Sequence, residues 1–257
     1  MKFIGIIPAR YASTRFPAKP LAMLGGKTVV ERVYTQVKDC VDYAIVATDD
    51  ERIETTVKAF GGNVVMTSPN CKSGTDRCWE AFASLGISTD DTVVINIQGD
   101  EPFIQPQQIQ TLKDCFYDTE SRTDIATLVK PFTMADGFAA LENVNSPKVV
   151  VNNRMEALYF SRSIIPYTRG RDKEEWLAHH TYYKHIGLYA YRAKVLKEIT
   201  LLPQSPLEIA ESLEQLRWIE NGYRIRVGTT NIETIGIDTP EDLHRAEQHL
   251  INIDNRQ

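Results

Sequence analysis

The sequence lacks the features that mark several large classes of protein. Its 257 residues contain no apolar run of membrane-spanning length, no repeat and no low-complexity tract. The amino terminus enters an apolar segment without the charged, apolar and small-residue order of a signal peptide. The four cysteines form no C-x-x-C pair and have no histidine at metal-ligand spacing, so we expect reduced thiols. These absences predict a cytoplasmic protein without a membrane segment.

The sequence also has little excess charge. The net charge is −5 with a pI near 5.6, and no stripe of lysine and arginine runs along the chain. Phosphate neutralisation dominates the affinity of proteins for nucleic acid, so we expect no nucleic-acid partner. The length is close to the upper limit for one hydrophobic core. We therefore predict a single domain over residues 1–257 that binds a small molecule through a local cluster of basic residues.

That basic cluster follows the first apolar run. Phe3 to Ile7 predicts a buried strand that ends at Pro8, because proline cannot continue a sheet ladder. The loop after it carries Arg10, Arg15 and Lys19. Ligands of open α/β sheets bind at the carboxyl ends of strands, and guanidinium and ammonium groups suit a polyphosphate. Pairing of these cations with surface carboxylates is the alternative explanation.

Apolar runs alternate with amphipathic segments through the first half of the chain. The predicted strands are Tyr43–Ala47, Asn63–Met66, Thr92–Ile97 and Ile125–Lys130. The predicted helices are Thr28–Asp39, Glu51–Phe60, Ser73 to about Leu85, Ile109–Tyr117 and Ala135–Leu141. This alternation predicts an α/β fold with a mainly parallel, doubly wound, Rossmann-like sheet. The segment Gln98-Gly99-Asp100-Glu101-Pro102 follows a strand, so its carboxylates should face the basic loop at the same edge.

The pattern changes after Pro147. Lys148–Val151, Ala157–Phe160 and His185–Tyr191 are short apolar runs without long helices between them, which predicts an antiparallel section. A long polar connection, Arg162 to Tyr183, lies between two of these runs. Connections of this length inside compact domains are usually functional or interface elements.

Three turn motifs stand at predicted helix starts. Ser73-Gly74-Thr75-Asp76 offers free N–H groups to a phosphate or a nucleobase. Ser205-Pro206-Leu207-Glu208 opens a helix whose inward residues are Leu213, Leu216 and Ile219. Arg224–Gly228 is a predicted late strand, and Gly236 to Asp242 after it leaves Asp238 just outside another helix, which Thr239 caps. Helix capping or simple turn formation explains Ser73, Glu208 and Asp238 about as well as a ligand does.

In their joint order these motifs resemble the 3-deoxy-D-manno-octulosonate (Kdo) cytidylyltransferases, also called CMP-Kdo synthetases. The matching segments are Pro8–Leu21, Ser73–Thr75, Gln98–Pro102, Tyr159–Arg162, His185–Tyr189, Ser205–Arg217 and Gly236–Leu243. They cover nearly the whole chain. One departure is Ala18, where the family often has glycine, and this weakens any requirement for a positive φ there. Thr168–Ala178 follows no pattern that can be transferred.

The resemblance implies Mg²⁺-dependent transfer of CMP from CTP to the 2-hydroxyl of Kdo, with release of pyrophosphate, in a homodimer that activates Kdo for lipopolysaccharide synthesis. It implies nucleotide binding by residues 1–145 and substrate binding and dimerisation by residues 146–200. The implied catalytic residues are Lys19, Asp100 and Arg15, and the metal ligands are Asp100 and Asp238. The implied nucleotide-binding residues are Ala9, Arg10, Ser73, Gly74 and Gln98. The implied sugar-binding residues are Arg162, His185, Tyr189, Glu208 and Gln215.

The chemistry of these side chains supports the implied roles. Cations neutralise a triphosphate, and carboxylate oxygens select a hard ion such as Mg²⁺. The guanidinium fork of Arg162 suits the carboxylate of Kdo. Strand alternation places His185 and Tyr189 on one face.

Two other functions remain open. A sugar-1-phosphate nucleotidyltransferase would share the first loop but would need a lysine facing the sugar phosphate. A non-catalytic nucleotide sensor would tolerate loss of the metal carboxylates, and both are present here. The sequence does not explain a preference for cytosine over uracil, and it does not separate Kdo from a close analogue such as 8-amino-Kdo.

Overall fold

The computed structural model describes residues 1–12, 15–117, 122–233 and 235–254. The chain forms two compact units, one comprising Met1–Ile109 with Thr234–Gln257 and the other Gln110–Glu233. The division of function between residues 1–145 and 146–200 stays a prediction. In the described ranges, every helix is too short or too polar to cross a lipid bilayer.

The first unit is built on four parallel strands. Its strands are β1 (Lys2–Ala9), β2 (Met23–Leu24), β3 (Lys27–Thr28), β4 (Tyr43–Thr48), β5 (Val64–Met66) and β6 (Thr92–Asn96). Its helices up to the unit boundary are α1 (Val29–Val37), α2 (Glu51–Ala59), α3 (Gly74–Ser84) and the start of α4 (Pro106–Asp114). β1 pairs in parallel with β6 on one side and with β4 on the other, and β5 follows β4. The short strands β2 and β3 form a separate antiparallel pair.

The first strand does not end at Pro8, contrary to the prediction. It continues through Ala9, with Pro8 opposite Ala47 of β4. The Ile6 carbonyl accepts from Ile97 N, which places residue 6, and two residues later Pro8, towards the β6 side. β6 has ended at that level, so the missing N–H of proline removes no ladder hydrogen bond.

The second unit carries the predicted antiparallel section. Its strands are β7 (Ile125–Pro131), β8 (Lys148–Val151), β9 (Ala157–Ser161), β10 (Tyr183–Arg192) and β11 (Ile225–Thr229). Its helices are the end of α4, then α5 (Gly137–Glu142), α6 (Trp176–His179), α7 (Ala193–Ile199), α8 (Pro206–Glu211) and α9 (Gln215–Glu220). β10 pairs antiparallel with β7 and β8, and β8 pairs antiparallel with β9. Only the β11–β7 pairing described in this unit is parallel. The prediction of a mainly parallel α/β fold with an antiparallel section is confirmed.

The helix predicted from Ser205 onwards is two helices. α8 ends at Glu211, and the next residue, Ser212, adopts a left-handed conformation with φ of 51°. A left-handed residue at this position ends a helix, because it turns the following N–H groups back onto the last turn, here Leu213 N onto Glu208 O. Leu216 of α9 is buried as predicted.

The chain returns to the first unit with its last helix, α10 (Pro240–Asp254). Ile237 and Ala246 are completely buried there in one apolar cluster with residues from the amino-terminal part of the unit, namely Leu24, Val29 and Phe103. This packing fixes the segment that carries Asp238.

Candidate active site

A cavity of about 360 Å³ opens in the first unit. All the residues predicted for nucleotide binding, metal binding or catalysis line it, namely Ala9, Arg10, Arg15, Lys19, Ser73, Gly74, Gln98, Asp100 and Asp238. They come from four separate segments of the chain. The prediction that the basic loop and the acidic loop meet at one edge of the sheet is therefore confirmed.

Two backbone contacts bring these segments together. Ile237 N donates to Asp100 O at 2.9 Å, which places Asp238 beside the loop that follows β6. Gly99 lies against Pro8, and a Cβ on Gly99 would stand 2.7 Å from the Pro8 carbonyl oxygen. Real Cβ atoms do not approach backbone so closely, so glycine is required for this packing.

A cluster of four charged side chains lies in the cavity. The Lys19 ammonium donates to Asp100 and, at 3.0 Å, to Asp238 Oδ1. Arg15 contacts the other oxygen of Asp238 at 3.0 Å. Burial by itself would lower the pKa of Lys19, but the carboxylates of Asp100 and Asp238 outweigh burial and raise it. Lys19 is therefore charged at neutral pH, and the formal charges of the cluster sum to zero.

Lys19 follows a residue with unusual backbone geometry. Ala18 has φ of 60° and ψ of 16°, in the left-handed region, and begins the short turn Lys19–Leu21. The replacement of glycine by alanine thus does not remove the positive φ, contrary to the inference from the sequence. The conformation costs a residue with a side chain roughly 1–2 kcal/mol.

The Ser73 corner combines a helix cap with a place in the cavity. Ser73 Oγ accepts from Asp76 N at 3.1 Å, and the Asp76 carboxylate accepts from the backbone N–H groups of Ser73 and Lys72. The capping explanation is thus correct for α3. Because Ser73 and Gly74 also line the cavity, their role in nucleotide binding stays a prediction.

Two basic residues of this cavity were not singled out from the sequence. Lys72 precedes the Ser73 corner, and its position before a helix start was the available signal. Arg77 lies one turn into α3, where it donates to Thr67 Oγ1 at 2.6 Å and to Asp49 at 2.9 Å. The sequence gives no sign of this role for Arg77, because an exposed arginine fits the pattern of an amphipathic helix equally well.

The cysteines are free thiols, as predicted. Cys71, at the edge of the cavity, donates to Glu80 Oε2 at 3.1 Å. Burial and the Glu80 carboxylate raise the pKa of Cys71 to about 11. The thiol is therefore a neutral hydrogen-bond donor at neutral pH and not a nucleophile.

The carboxylates of Asp100 and Asp238 fit a divalent cation. One cation, the Lys19 ammonium, already contacts oxygen atoms of both carboxylates, so both can reach a single positive centre. Among the described residues no three His, Cys, Asp or Glu side chains gather around one point. In phosphoryl-transfer sites the protein usually supplies one or two carboxylates to Mg²⁺, and phosphate oxygens and water complete its coordination.

In the second unit, His185 and Tyr189 share a face of β10, as predicted. Their ring centroids are 5.3 Å apart, and Phe160 packs edge-on against the imidazole at 5.1 Å. Burial lowers the pKa of His185 to about 3 and raises the pKa of Tyr189. Both side chains are therefore neutral at physiological pH. Thr127, which the sequence did not mark, lies 3.1 Å from His185 Nε2.

Arg162 uses its guanidinium on backbone carbonyls. Nε donates to Glu211 O at 2.6 Å, and the two terminal nitrogens donate to Val144 O at 3.0 Å and Ser212 O at 3.3 Å. A ligand carboxylate would have to replace one of these acceptors or share its donor. The role of Arg162 as the carboxylate partner of a sugar acid stays a prediction.

Glu208 and Gln215 are buried at the α8–α9 junction. Glu208 forms the predicted capping box with Ser205 and lies 3.5 Å from Arg217 Nε. Gln215 is 4% exposed, and its Nε2 has no hydrogen-bond partner within the described part of the chain. A buried amide without a partner is costly, which leaves Gln215 with a donor for a ligand.

Comparison with known proteins shows which families and structures this chain is similar to. A sequence profile described as cytidylyltransferase matches residues 4–226. A 3-deoxy-manno-octulosonate cytidylyltransferase of Bacteroides thetaiotaomicron is 71% identical over 252 residues, covering 98% of this chain and 99% of the relative. An 8-amino-3,8-dideoxy-manno-octulosonate cytidylyltransferase of Shewanella putrefaciens is 43% identical, covering 97% and 99%. The solved structure of a CMP:2-keto-3-deoxy-manno-octonic acid synthetase complexed with CTP superposes with a TM-score of 0.87, at 40% identity, covering 98% and 99%.

Proposed function

The chain belongs to the cytidylyltransferase family, and from this premise we propose that it transfers the CMP group of CTP to the 2-hydroxyl of Kdo and releases pyrophosphate. The observation that carries the proposal is the cavity of the first unit, which is lined by five basic residues and by the carboxylates of Asp100 and Asp238. Attack of a hydroxyl on an α-phosphate needs both neutralisation of the triphosphate and carboxylates for a metal ion.

We assign the triphosphate to Arg10, Arg15 and Lys19. The Lys19 ammonium now contacts two carboxylates, and it would exchange them for phosphate oxygens when the nucleotide is bound. Its position beside Asp100 allows it to stabilise negative charge that develops on the phosphate in the transition state. Ala9, Ser73, Gly74 and Gln98 would contact the rest of the nucleotide.

We propose Mg²⁺ as the metal and Asp100 and Asp238 as its protein ligands. The support is the donor set, since oxygen ligands alone select a hard cation. When bound, the ion supplies Lewis-acid polarisation of the phosphate oxygens and a fixed orientation for in-line attack. Asp100 and Asp238 would hold the ion in place. Arg15 contacts Asp238 through Oδ2.

We propose that the sugar acid is bound by Arg162, His185, Tyr189, Glu208 and Gln215. The support lies in the second unit, where neutral His185 and Tyr189 and the unpaired amide of Gln215 offer hydrogen bonds to hydroxyl groups. Relatives act on Kdo and on its 8-amino analogue according to their names. We propose Kdo, because the relative at 71% identity carries that name.

We further propose a homodimer in the cytoplasm whose product serves lipopolysaccharide synthesis. The support for an interface in residues 146–200 is exposed apolar surface, with Leu158 at 55% and Tyr167 at 73% exposure. Sedimentation of the full chain and of the double variant Leu158→Ser/Tyr167→Ser tests it. A monomeric parent protein would refute the dimer.

The function is tested by a matrix of substrates. The protein is incubated with Mg²⁺, each of the four nucleoside triphosphates, and Kdo, 8-amino-Kdo or a hexose 1-phosphate, and pyrophosphate is followed. We expect release only with CTP and a sugar acid, with Kdo preferred. Preference for UTP or another nucleotide with the hexose 1-phosphate identifies a sugar-1-phosphate nucleotidyltransferase. Nucleotide binding without pyrophosphate release in every mixture identifies a sensor.

A further inference from the structure

β10 contains an irregularity next to the proposed sugar residues. Ile186 pairs with Leu128 of β7, but the next pair is Tyr189 with Thr127. Two residues of β10 are therefore inserted between adjacent positions of β7. Bulges of this kind redirect side chains and are found next to active sites.

The Thr127 side chain fills the inside of this bulge. Thr127 is completely buried. Its Oγ1 lies 2.9 Å from Leu188 O, 3.2 Å from Ile186 O and 3.1 Å from His185 Nε2. One hydroxyl thus faces two carbonyl oxygens and one imidazole nitrogen, and the Tyr189 hydroxyl is a further polar neighbour.

The protons in this group can be placed by counting. A carbonyl oxygen only accepts, and a threonine hydroxyl has one proton, so that proton points to the bulge carbonyls. The hydroxyl then turns only lone pairs towards the imidazole, whether or not it also contacts Tyr189, so the N–H of His185 must be on Nε2. The opposite arrangement would leave hydroxyl lone pairs against two carbonyl oxygens with no proton between them.

We infer that Thr127 is a positioning residue that fixes His185 in the Nε2–H tautomer and so presents Nδ1 as a hydrogen-bond acceptor to a hydroxyl group of the sugar. In the described part of the chain no hydrogen bond involves Nδ1. The imidazole is half-buried and enclosed by the rings of Phe160 and Tyr189. Burial lowers the pKa of His185 to about 3, so the neutral form with one N–H prevails at physiological pH.

This inference specifies which part of the sugar acid His185 contacts. A hydroxyl group has a proton to donate to Nδ1, whereas an ionised carboxylate has none. His185 therefore contacts a sugar hydroxyl, and the carboxylate is bound by other residues. The assignment to a sugar rests on the proposed function, but the tautomer does not.

The tautomer is tested first on the parent protein without substrate. The chain has five histidines, and in protein labelled with ¹⁵N-histidine the His185 ring is identified by its loss in His185→Asn. Long-range ¹H–¹⁵N correlation distinguishes the protonated from the unprotonated ring nitrogen. We expect Nε2 to be protonated and Nδ1 unprotonated. A protonated Nδ1 in the parent protein overturns the inference, whatever reaction the protein catalyses.

Two variants then test the role of Thr127. Thr127→Val keeps the shape and removes the hydroxyl, and Thr127→Ser keeps the hydroxyl. We expect the serine variant to retain the Nε2–H tautomer and the KM for Kdo within about twofold. We expect the valine variant to lose the single tautomer and to raise the KM for Kdo about tenfold, with the KM for CTP within about twofold.

Equal behaviour of folded valine and serine variants overturns the positioning role. Thermal unfolding of each variant shows whether it is folded, and if the valine variant is not, the tautomer of the parent protein decides. Absence of CMP-Kdo formation by the parent protein refutes the proposed function and leaves the tautomer result standing, so the two failures are distinguishable.

Discussion

The cavity of the first unit and the His185 region of the second hold their polar groups by different means. In the cavity, charged side chains pair with one another, and the outer pair is accessible: Arg15 is 67% and Asp238 42% exposed, against 16% for Lys19 and 24% for Asp100. In the second unit, Arg162 donates to backbone carbonyls, and the Thr127 hydroxyl donates to the Leu188 carbonyl within the β10 bulge. Exposed ion pairs contribute little and exchange partners readily, whereas bonds to backbone fix a side chain. The first region is suited to rearrange around a charged ligand, and the second to present a preformed surface.

The largest expected effect comes from the carboxylates of the cavity. Asp100→Asn and Asp238→Asn each remove charge from the proposed metal site without removing volume, so we expect turnover to fall at least about 100-fold with little change in unfolding temperature. Steady-state rates over a range of Mg²⁺ concentrations measure it. Exposed Asp39→Asn is the control. Near-normal turnover at limiting Mg²⁺ would remove the residue from the metal site.

Lys19 should act on the rate more than on binding. We expect Lys19→Ala to lower the turnover number roughly 30-fold, while the Kd for CTP, measured by calorimetry, changes less than about threefold. Lys27→Ala, which removes an exposed lysine on β3, is the control. Weaker CTP binding at unchanged turnover would assign Lys19 to ground-state binding and contradict a transition-state role.

A pair of arginine substitutions tests the contrast between the regions directly. Arg162→Ala removes the guanidinium donor from three carbonyl groups, so we expect a loss of about 2 kcal/mol in the free energy of unfolding together with a raised KM for Kdo. Arg15→Ala removes an exposed ion pair and should weaken CTP binding with little effect on stability. Urea unfolding and KM measurements on both variants provide the comparison. Equal stability losses would show that the two regions do not differ as described.

The effect of His185 should be smaller and selective. We expect His185→Ala to raise the KM for Kdo about tenfold, the value of one hydrogen bond, and to leave the KM for CTP within about twofold. Exposed His244→Ala is the control for loss of an imidazole. Similar losses towards both substrates would return His185 to a purely structural role.

The smallest expected effect is a gain. Ala18→Gly removes the strain of a left-handed alanine, so we expect the free energy of unfolding to rise by about 1 kcal/mol with turnover unchanged. Ala22→Gly in the same turn, at φ of −59°, should lower it instead. Chemical denaturation of both variants measures the difference. A loss of stability in Ala18→Gly would show that the left-handed residue is not strained.

The sequence predicts the cavity of the first unit better than the second region, for a physical reason. Strand ends in a parallel sheet converge, so Arg10 after β1 and Asp100 after β6 could be placed at one edge from apolar runs alone. Asp238 lies far away in the sequence, and it was found through its motif and brought in by the Ile237–Asp100 backbone bond. Arg77 was missed because its bonds to Thr67 and Asp49 depend on packing that periodicity does not encode.

The second region shows what a local pattern omits. Alternation correctly placed His185 and Tyr189 on one face, but it gave no sign of the bulge between Ile186 and Tyr189 or of Thr127 behind it. The prediction assumed a regular strand, which β10 is not. It still holds, because an insertion of two residues leaves alternate side chains on the same face. The sequence also placed the end of β1 too early, at Pro8. A proline breaks a strand only where its nitrogen faces a neighbouring strand, and a local pattern does not show that neighbour.

The most direct test of the central claim follows the phosphorus atoms of CTP. The protein is incubated with Mg²⁺, Kdo and CTP labelled at either the α- or the γ-phosphorus, and the products are separated. Cytidylyl transfer predicts that the α-label appears in a product that contains both cytidine and Kdo, and that the γ-label appears in pyrophosphate. Transfer of the γ-label to the sugar, or release of labelled pyrophosphate without a cytidine-linked sugar, would contradict the account.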